Sequence, residues 1–397
     1  MNGQQTDAYS GSFCGHYKLL ELLHKSNHTQ VFRAQRINAK HRKAQHQKDA
    51  TVILKTHNTA KCSIRVKQKL VHEFTIGKSV RSNASRAESN NNYCINYLEL
   101  FHSHEHQAAA LIMEDINGQD LTSYMASLGN RLTAGLSVRK FLEIAIKITR
   151  GLTAIHTAKV IHTDIKPSNI IYNSTTGELR IIDFGTAIYE AHYEEHRRQQ
   201  RNGSDLFSFT PAFMSPEHTG KLNRSIGVRS DLYCLGATLY YLLCGTPPFQ
   251  ASTTIGYMHC HLAQDPLPPI IACATKSTFT PPAILSNIIL KLLQKNADER
   301  YQTSAGLLYD LEKCDRLFAS SGFTSIESFA LGKFDFSEKL TMPKKLYGRE
   351  AEVTALQSAF QRTAEGGFEF IDVHGYSGVG KSRLINELHK PVVLNDG

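Results

Sequence analysis

The stretch His162-Thr163-Asp164-Ile165-Lys166-Pro167-Ser168-Asn169 decides the fold of this chain, together with Asp183-Phe184-Gly185, which begins fourteen residues after Asn169. Each piece follows an apolar run, residues 159–161 and 179–182, so both are predicted to be loops at the ends of short strands. Turn-forming residues at 174–177 favour a connection that brings the two loops together. One cleft should therefore hold four polar side chains, those of Asp164, Lys166, Asn169 and Asp183.

These four side chains suit the transfer of a phosphoryl group. That reaction needs a carboxylate to orient the acceptor hydroxyl, a cation on the transferred group, and oxygen ligands for magnesium. The two aspartates, the lysine and the asparagine supply each of these parts.

The order H-x-D-x-K-P-x-N and then D-F-G resembles the eukaryotic-like (Hanks-type) serine/threonine protein kinase family. The resemblance implies an α+β, bilobal fold, with a small lobe rich in antiparallel strands and a helical large lobe. It also implies ATP and Mg2+ as cofactors, and serine or threonine hydroxyls of proteins as acceptors. In this scheme Asp164 orients the hydroxyl, Lys166 stabilises the phosphoryl group, and Asn169 and Asp183 hold magnesium.

The resemblance extends into the predicted small lobe. Lys55 ends an apolar strand, and the family pairs such a lysine with a helix glutamate, here Glu73 in the predicted helix 66–80. This pair would position the nucleotide phosphates. The remaining nucleotide contacts that the resemblance implies come from the gatekeeper Met113, from backbone groups of Glu114 to Ile116, and from Leu23, Ser26 and Val31.

Two features of the predicted large lobe also fit. Thr210 is expected to buttress Asp164 and Lys166. Ser215-Pro216-Glu217 resembles the family's A-P-E, and Arg300 is the arginine expected to pair with Glu217. Without the resemblance, an isolated Glu and Arg would be read as solvated surface charges.

Departures from the family pattern leave a second hypothesis open. His24, Ser26 and Thr29 stand where the family has three glycines, whose backbone N–H groups approach the phosphates without a Cβ in the way. A weaker grip on nucleotide is expected. Thr163 replaces an arginine that reads an activation-loop phosphate, so switching by such a phosphate is not expected. Gly77 stands where an apolar residue is usual.

A second phosphate-binding motif lies near the end of the sequence. Residues 368–373 are predicted to be a buried strand, and they run into Gly375-Tyr376-Ser377-Gly378-Val379-Gly380-Lys381-Ser382. This is G-x-x-x-x-G-K-S in a strand-loop-helix setting. The predicted nucleotide-binding residues are Gly375, Gly378, Gly380, Lys381 and Ser382, with backbone N–H groups around the phosphate, the lysine on the terminal phosphates and the hydroxyl on magnesium.

Three segments follow from these motifs. We predict a kinase domain over 17–317, a linker over 318–345, and over 346–397 the truncated start of an α/β P-loop ATPase domain of the AAA or STAND type. This order resembles large bacterial-type signalling proteins, in which sensor and histidine kinase domains often follow. The resemblance allows such domains beyond residue 397, but the sequence does not tell whether they follow.

Composition favours a cytoplasmic protein. The 397 residues are 41% hydrophobic, no window approaches a membrane span, and the N-terminus has no secretory signal. The eight cysteines are scattered, which fits reduced thiols. The net charge of +9 includes a basic stretch at 33–48, which is predicted to be a solvated loop, so no nucleic-acid partner is expected.

The sequence thus predicts an ATP- and Mg2+-dependent protein serine/threonine kinase of intracellular signalling. Two alternatives stay open. One is a pseudokinase that binds nucleotide without turnover, and the other is a scaffold driven by the P-loop ATPase.

Overall fold

The computed structural model describes residues 11–26, 29–37, 51–57, 64–86, 93–103, 108–129, 135–192, 210–220, 225–275, 280–321, 326–336, 348–376 and 379–386. The chain divides into two units. The first comprises Met1–Arg131 with Glu143–His196, and the second comprises Leu132–Leu142 with Arg197–Gly397.

A six-stranded antiparallel sheet forms the start of the first unit. Its strands are β1 (Ser12–Phe13), β2 (Tyr17–Lys25), β3 (Thr29–Arg36), β4 (Thr51–His57), β5 (Tyr97–Ser103) and β6 (Ala108–Glu114), in the order β1-β2-β3-β4-β6-β5. The helix α1 (Ile64–Arg86) lies between β4 and β5 in the sequence. Alternating inward residues of the sheet form one core, which contains Tyr17, Leu19, Phe32, Ala34, Leu54, Phe101, Ala110 and Ile112.

The next elements along the chain are β7 (Gln119–Asp120), α2 (Leu121–Ser127), α3 (Val138–Thr157), β8 (Val160–Ile161), β9 (Ile170–Tyr172), β10 (Leu179–Ile181) and β11 (Ile188–Tyr189). Helix α3 begins in the second unit and belongs to the first from Glu143 onward, and the other elements belong to the first unit. Two small antiparallel sheets form, β10-β9-β7 and β11-β8. The turn between β9 and β10 is closed by Asn173, whose side chain accepts the N–H groups of Thr175 and Thr176. As predicted, the two motif loops follow strands β8 and β10.

The basic stretch at 33–48 is not simply a solvated loop, and that prediction is wrong for its first two arginines. Arg33 and Arg36 belong to strand β3. Arg33 pairs with Asp115 at 2.7 Å and with Glu21, while Arg36 pairs with Glu99. Strand pairing puts Glu21 of β2 opposite Arg33, and the carboxylates of Asp115, just after β6, and of Glu99 in β5 also reach these arginines, so their charge is locally neutralised. The lysines and arginines at 40–48 lie outside the described residues.

Helices make up the described elements of the second unit after residue 225. They are α4 (Val228–Cys244), α5 (Thr254–Ala263), α6 (Pro269–Ala274), α7 (Ala283–Leu292), α8 (Ser304–Ser320), α9 (Glu350–Ala364) and α10 (Lys381–Asn386). Helix α4 is almost entirely buried. Gly236 lets it approach α7, because a Cβ there would lie 2.6 Å from Cβ of Leu292. The molecule is therefore a mixed α+β protein, with a strand-rich unit and a helical unit.

The predicted linker is partly anchored to the second unit. Helix α8 continues to Ser320, and Asp335 accepts hydrogen bonds from the N–H groups of Gln302 and Thr303 at 2.6 and 2.9 Å. The Thr303 hydroxyl donates to the same carboxylate at 2.7 Å. Gly306 leaves room for it, since a Cβ at that position would overlap the Asp335 side chain. Residues 326–336, which we call the strap, thus belong structurally to the N-terminus of α8.

The predicted strand before the P-loop is not formed, which corrects the sequence analysis. Residues 367–376 have no strand structure, and the side chains of Phe368 and Phe370 are 91% and 85% exposed. A strand needs hydrogen-bonding neighbours. Among the described residues of 348–386, no segment pairs with this apolar run, so its sequence pattern alone does not produce a ladder.

Two further observations concern the described residues only. Their seven cysteines are all free thiols, six of them buried. None of their helices combines the length and the apolar character that crossing a membrane requires.

Candidate active site

Lys55 is the centre of an ion-pair network in the first unit. Its Nζ lies 2.9 Å from Oε2 of Glu73 and 2.8 Å from Oδ1 of Asp183. Burial lowers the pKa of Lys55, but Asp183 and Glu73 outweigh this and raise it above its usual value. The Lys55 ammonium in turn lowers the pKa of Asp183 to about 2, against burial, which raises it. Both groups are therefore charged at neutral pH.

Strand pairing explains why Lys55 meets these carboxylates. In β3, β4 and β6 the residues Val31, Lys55 and Leu111 stand directly opposite one another, so they share one face of the sheet. Glu73 reaches the same place from helix α1, where it is 3% exposed. The predicted pairing of Lys55 with Glu73 is thus present in the structure.

A second cluster joins three of the motif side chains. Lys166 Nζ lies 2.7 Å from Oδ2 of Asp164, and Asn169 Nδ2 donates to the same oxygen at 3.0 Å. Asn169 also donates to the main-chain oxygen of Asp164 at 2.9 Å. Within the described residues, Oδ1 of Asp164 has no hydrogen-bond partner. The network therefore fixes this carboxylate and leaves one oxygen for an acceptor group.

The two motif loops are tied to each other through His162 and Thr163. His162 Nε2 lies 3.1 Å from the carbonyl oxygen of Ile182, and its Nδ1 accepts the N–H of Asp164. Thr163, at φ +69°, donates its hydroxyl to the carbonyl oxygen of Thr186 at 3.0 Å. The threonine that replaces the family arginine is thus used to connect the loops.

The oxygen donors fit a magnesium ion. Asp183 adopts φ +67°, and both its lysine and its Gly185 N–H contacts fall on Oδ1. Asn169 uses its Nδ2 for Asp164. This leaves Oδ2 of Asp183 and Oδ1 of Asn169 without protein partners among the described residues. Oxygen atoms of this kind are the ligands that magnesium takes together with phosphate oxygens.

The predicted adenine-binding residues are brought together only in part. Met113 is buried and lies opposite Ile53, two residues before Lys55 on the same face of the sheet. Leu23 falls at an irregularity in the β2–β3 pairing and is 41% exposed. A nucleotide contact of Leu23 stays a prediction.

The backbone segment Glu114 to Ile116, which we call the hinge, makes several hydrogen bonds within the protein. The Glu114 N–H donates to the oxygen of Asn96, and its carboxylate accepts from Arg180 at 2.9 Å. The oxygen of Ile116 accepts from Asn173. The Ile116 N–H has no partner in the described part of the chain, so it is the hinge group that this structure leaves for a base. The N–H and the carboxylate of Glu114 are engaged within the protein, and the role of its backbone in binding adenine stays a prediction.

Ser26 and Thr29, at two of the positions where the family has glycines, bond to each other. The Ser26 N–H donates to the Thr29 oxygen at 2.8 Å, and the Thr29 N–H donates to Oγ of Ser26 at 3.0 Å. Strand pairing continues up to Lys25 opposite Gln30. Ser26 is exposed, but its backbone N–H and its hydroxyl already have protein partners.

Two predicted positions lie in the second unit. Thr210 directly precedes the 3-10 turn Pro211–Phe213, and its role as a buttress stays a prediction. The pairing of Glu217 with Arg300 is confirmed. The guanidinium makes two bonds to the carboxylate, at 2.9 and 3.1 Å, and three more to main-chain oxygens of Gln294, Arg229 and Lys295.

The P-loop residues form a separate, open arrangement. Gly375 and Gly380 adopt φ values of +152° and +93°, and Lys381 Nζ donates to the oxygens of Gly375 and Tyr376 at 2.7 and 3.0 Å. Ser382 lies in helix α10. Gly378 lies outside the described residues.

Sequence reasoning missed Tyr97 and found no role for Gly77. Tyr97 donates its hydroxyl to Oε1 of Glu73 at 2.9 Å, and a Cβ on Gly77 would overlap its ring. Only a pairing of these two positions, which are far apart in the sequence, could have revealed this contact.

The antiparallel sheet with helix α1 and the paired motif side chains form the arrangement that the sequence predicts for a protein kinase. Comparison with known families is in agreement: residues 37–308 match the protein kinase domain, and residues 345–395 match the AAA ATPase domain. The chain belongs to the protein kinase family, and an AAA ATPase domain follows its kinase domain. Strands β1, β2 and β3 precede the matched region and complete the same sheet.

Curated relatives place the kinase domain among serine/threonine kinases. The chain is 28% identical over 320 residues to serine/threonine-protein kinase pkn3 of Myxococcus xanthus, covering 80% of this chain and 53% of the relative. It is 31% identical to serine/threonine-protein kinase PknB of Mycolicibacterium smegmatis, over 51% of this chain and 29% of the relative. It is also 29% identical to hybrid signal transduction histidine kinase G of Dictyostelium discoideum, over 65% of this chain and 10% of the relative. The chain thus spans between a tenth and about half of the length of these relatives.

Proposed function

We propose that this protein transfers the γ-phosphate of ATP to serine and threonine hydroxyls of protein substrates, with Mg2+ as cofactor. The observation that supports this most is the double pairing of Lys55 with Glu73 and Asp183 in one unit that also holds the Asp164–Lys166–Asn169 cluster. Phosphoryl transfer depends mainly on positioned charges, and here the charges hold one another in place.

Each residue has a distinct task in this proposal. Asp164 orients the acceptor hydroxyl through its free Oδ1, and Lys166 stabilises charge on the transferred group. Lys55, held by Glu73, positions the phosphates. Asn169 and Asp183 would hold magnesium, which when bound neutralises charge on the phosphate oxygens. Thr210 supports Asp164 and Lys166.

The setting of this activity is also a proposal. We place the protein in the cytoplasm, as a signal-transduction kinase whose P-loop domain binds nucleotide through Lys381 and Ser382. The similarity to a hybrid histidine kinase supports sensor or histidine kinase domains as further parts of the pathway or the protein. The partners we expect are ATP and protein substrates, with no nucleic acid.

The pseudokinase alternative keeps one observation in its favour. The N–H groups of Ser26 and Thr29 bond to each other's residues, so these two groups are less available to the phosphates than those of a glycine-rich loop would be. This predicts a raised KM for ATP if the enzyme turns over, and nucleotide binding without transfer if it does not.

One experiment separates the two. The purified 397-residue chain is incubated with γ-labelled ATP, Mg2+ and a generic substrate rich in serine and threonine, beside Asp164→Asn. We expect the wild type to label serine and threonine and Asp164→Asn to fall by about 100- to 10,000-fold, since removing a positioned proton acceptor costs factors of this size. Asp298→Asn is the matched control, because Asp298 pairs with Arg229 in the other unit. Equal labelling by wild type and Asp164→Asn, or none by either, would contradict the proposal.

A further inference from the structure

The contact between Tyr97 and Gly77 needs an explanation beyond packing. Tyr97 begins strand β5, and its side chain is 1% exposed. Its ring lies directly on helix α1 at Gly77. A Cβ at position 77 would come closer than 3.0 Å to ring carbons Cε2 and Cδ2, a separation that real Cβ atoms essentially never show. Only glycine at 77 permits the tyrosine ring in this place.

The ring position aims the Tyr97 hydroxyl at the active site. It donates to Oε1 of Glu73 at 2.9 Å, and Lys55 Nζ lies 3.1 Å from the same oxygen. Glu73 stands four residues before Gly77, so both face the same side of α1. Gly77 therefore lies against the ring of Tyr97, and Glu73 accepts the hydrogen bond from the hydroxyl of the same tyrosine.

Tyr97 also contacts the other side of the site. Its ring packs edge to face on Phe184, with centroids 6.3 Å apart and an interplanar angle of 71°. Phe184 follows Asp183, the second partner of Lys55. One tyrosine thus connects the helix that carries Glu73 with the loop that carries Asp183.

The hydrogen bond from Tyr97 to Glu73 satisfies and restrains a buried carboxylate. Glu73 is 3% exposed, and a buried carboxylate needs partners for its lone pairs. Lys55 is not available to Glu73 alone, because its ammonium also pairs with Asp183. The Tyr97 hydroxyl is the second described donor to the Glu73 carboxylate, so it restrains the rotamer in which the carboxylate meets Lys55.

We propose that Tyr97 is a positioning residue, which holds the Glu73 carboxylate against Lys55, and that Gly77 is the residue this arrangement requires. The inference rests on the proposed function for its catalytic meaning, whereas the arrangement of α1 can be tested without turnover. The tyrosine ring occupies the space beside position 77, so a side chain larger than that of glycine would not fit there.

Tyr97→Phe tests the hydroxyl alone, because it keeps the ring. We expect the KM for ATP to rise about 10- to 150-fold, the effect of one hydrogen bond to a charged group, while the KM for the protein substrate stays within twofold. Amide exchange over residues 71–80 should accelerate at least threefold. Tyr17→Phe is the matched control, since Tyr17 is equally buried and bonds Glu99 through its hydroxyl. Equal behaviour of the two variants would overturn the proposal.

A double-mutant cycle tests the glycine. Gly77→Ala should raise the KM for ATP and speed the exchange of α1 in the wild-type background, but change both by less than twofold when Tyr97→Leu has removed the ring. An alanine that is equally harmful in both backgrounds would overturn the requirement for Gly77. If the wild type transferred no phosphate, the proposed function would fail, yet the exchange measurements would still decide the role of Tyr97.

Discussion

Two lysines in this molecule stand at predicted phosphate-binding positions, and their surroundings differ. Lys55 is largely buried and pairs with carboxylates from helix α1 and from the loop after β10. Lys381 donates only to main-chain oxygens of its own loop, at Gly375 and Tyr376. The same residue type is thus held by distant parts of the chain in the first case and by its neighbours in the second.

The difference shows which interactions hold each lysine in place before a phosphate binds. Around Lys55, sheet register and a long helix bring together groups that are up to 128 residues apart in the sequence. Around Lys381, the apolar run 368–373 forms no ladder within the described residues, and the contacts of the lysine described there are with its own loop. A local motif supplies the ligands of a site, whereas tertiary packing makes it rigid before the ligand arrives.

The largest expected effect compares the two lysines directly. Lys55→Met should lower phosphate transfer by about 100- to 10,000-fold, because it removes a charge that positions the phosphates. Lys381→Met should leave transfer to a generic substrate within twofold. Both rates are measured with labelled ATP on the 397-residue chain, and circular dichroism confirms that the variants are folded. A large loss of phosphate transfer in Lys381→Met would contradict the expected difference between the two lysines.

A second comparison concerns ion pairs. Arg300 is fully buried and makes two bonds to Glu217, whereas Arg362 is exposed and pairs with Glu369. Removing one partner of a buried pair typically costs about 3–5 kcal/mol. Arg300→Met should therefore lower the free energy of unfolding by about that amount, and Arg362→Met should leave it unchanged, both measured by urea denaturation. Similar losses in the two variants would contradict the comparison.

The loss of stability at acidic pH provides a further test of the buried ion pair. Burial raises the pKa of Glu217, but the Arg300 guanidinium outweighs it and holds the pKa below the usual value of 4.5. In the wild type this carboxylate therefore contributes stability above the unfolded pKa and loses it as the pH falls through the lower folded value. In Arg300→Met burial acts without its partner, so the deficit should be largest near neutral pH and shrink below about 4.5. A deficit that grows on acidification would refute the assignment.

Motif residues and tertiary contacts were not equally predictable from sequence. Lys55, Asp164 and Asp183 could be assigned because their spacing is fixed by the chemistry they share. Tyr97 could not, since its hydroxyl meets Glu73 only after β5 packs on α1. The contact between the Glu114 N–H and the Asn96 oxygen could not be predicted either, because it is not visible in a sequence pattern. Residues 368–373 have the composition of a strand, but composition does not provide a neighbouring strand.

The strap gives a smaller effect and tests where the rigid region ends. Asp335→Ala removes the acceptor for Gln302, for the Thr303 N–H and for the Thr303 hydroxyl. We expect the free energy of unfolding to fall by about 1–3 kcal/mol, the cost of leaving such donors unsatisfied. Asp315→Ala, on an exposed position of α8, is the control. If Asp335→Ala matched this control, the domain boundary would return to the predicted residue 317.

The smallest expected effect on activity comes from cutting the loosely held region. Phe368 and Phe370 are 91% and 85% exposed and lie in a segment without secondary structure, whereas Phe101 and Phe184 are buried. Since a protease needs an accessible, unpaired backbone, chymotrypsin should make its first cut within the described residues after Phe368 or Phe370. Mass spectrometry of early digests identifies the site. Phosphate transfer by the nicked protein should stay within twofold of the intact chain, and Phe368→Ser with Phe370→Ser should delay the cut. An early cut among residues 135–192 would show instead that the region around Asp164 is the less ordered of the two.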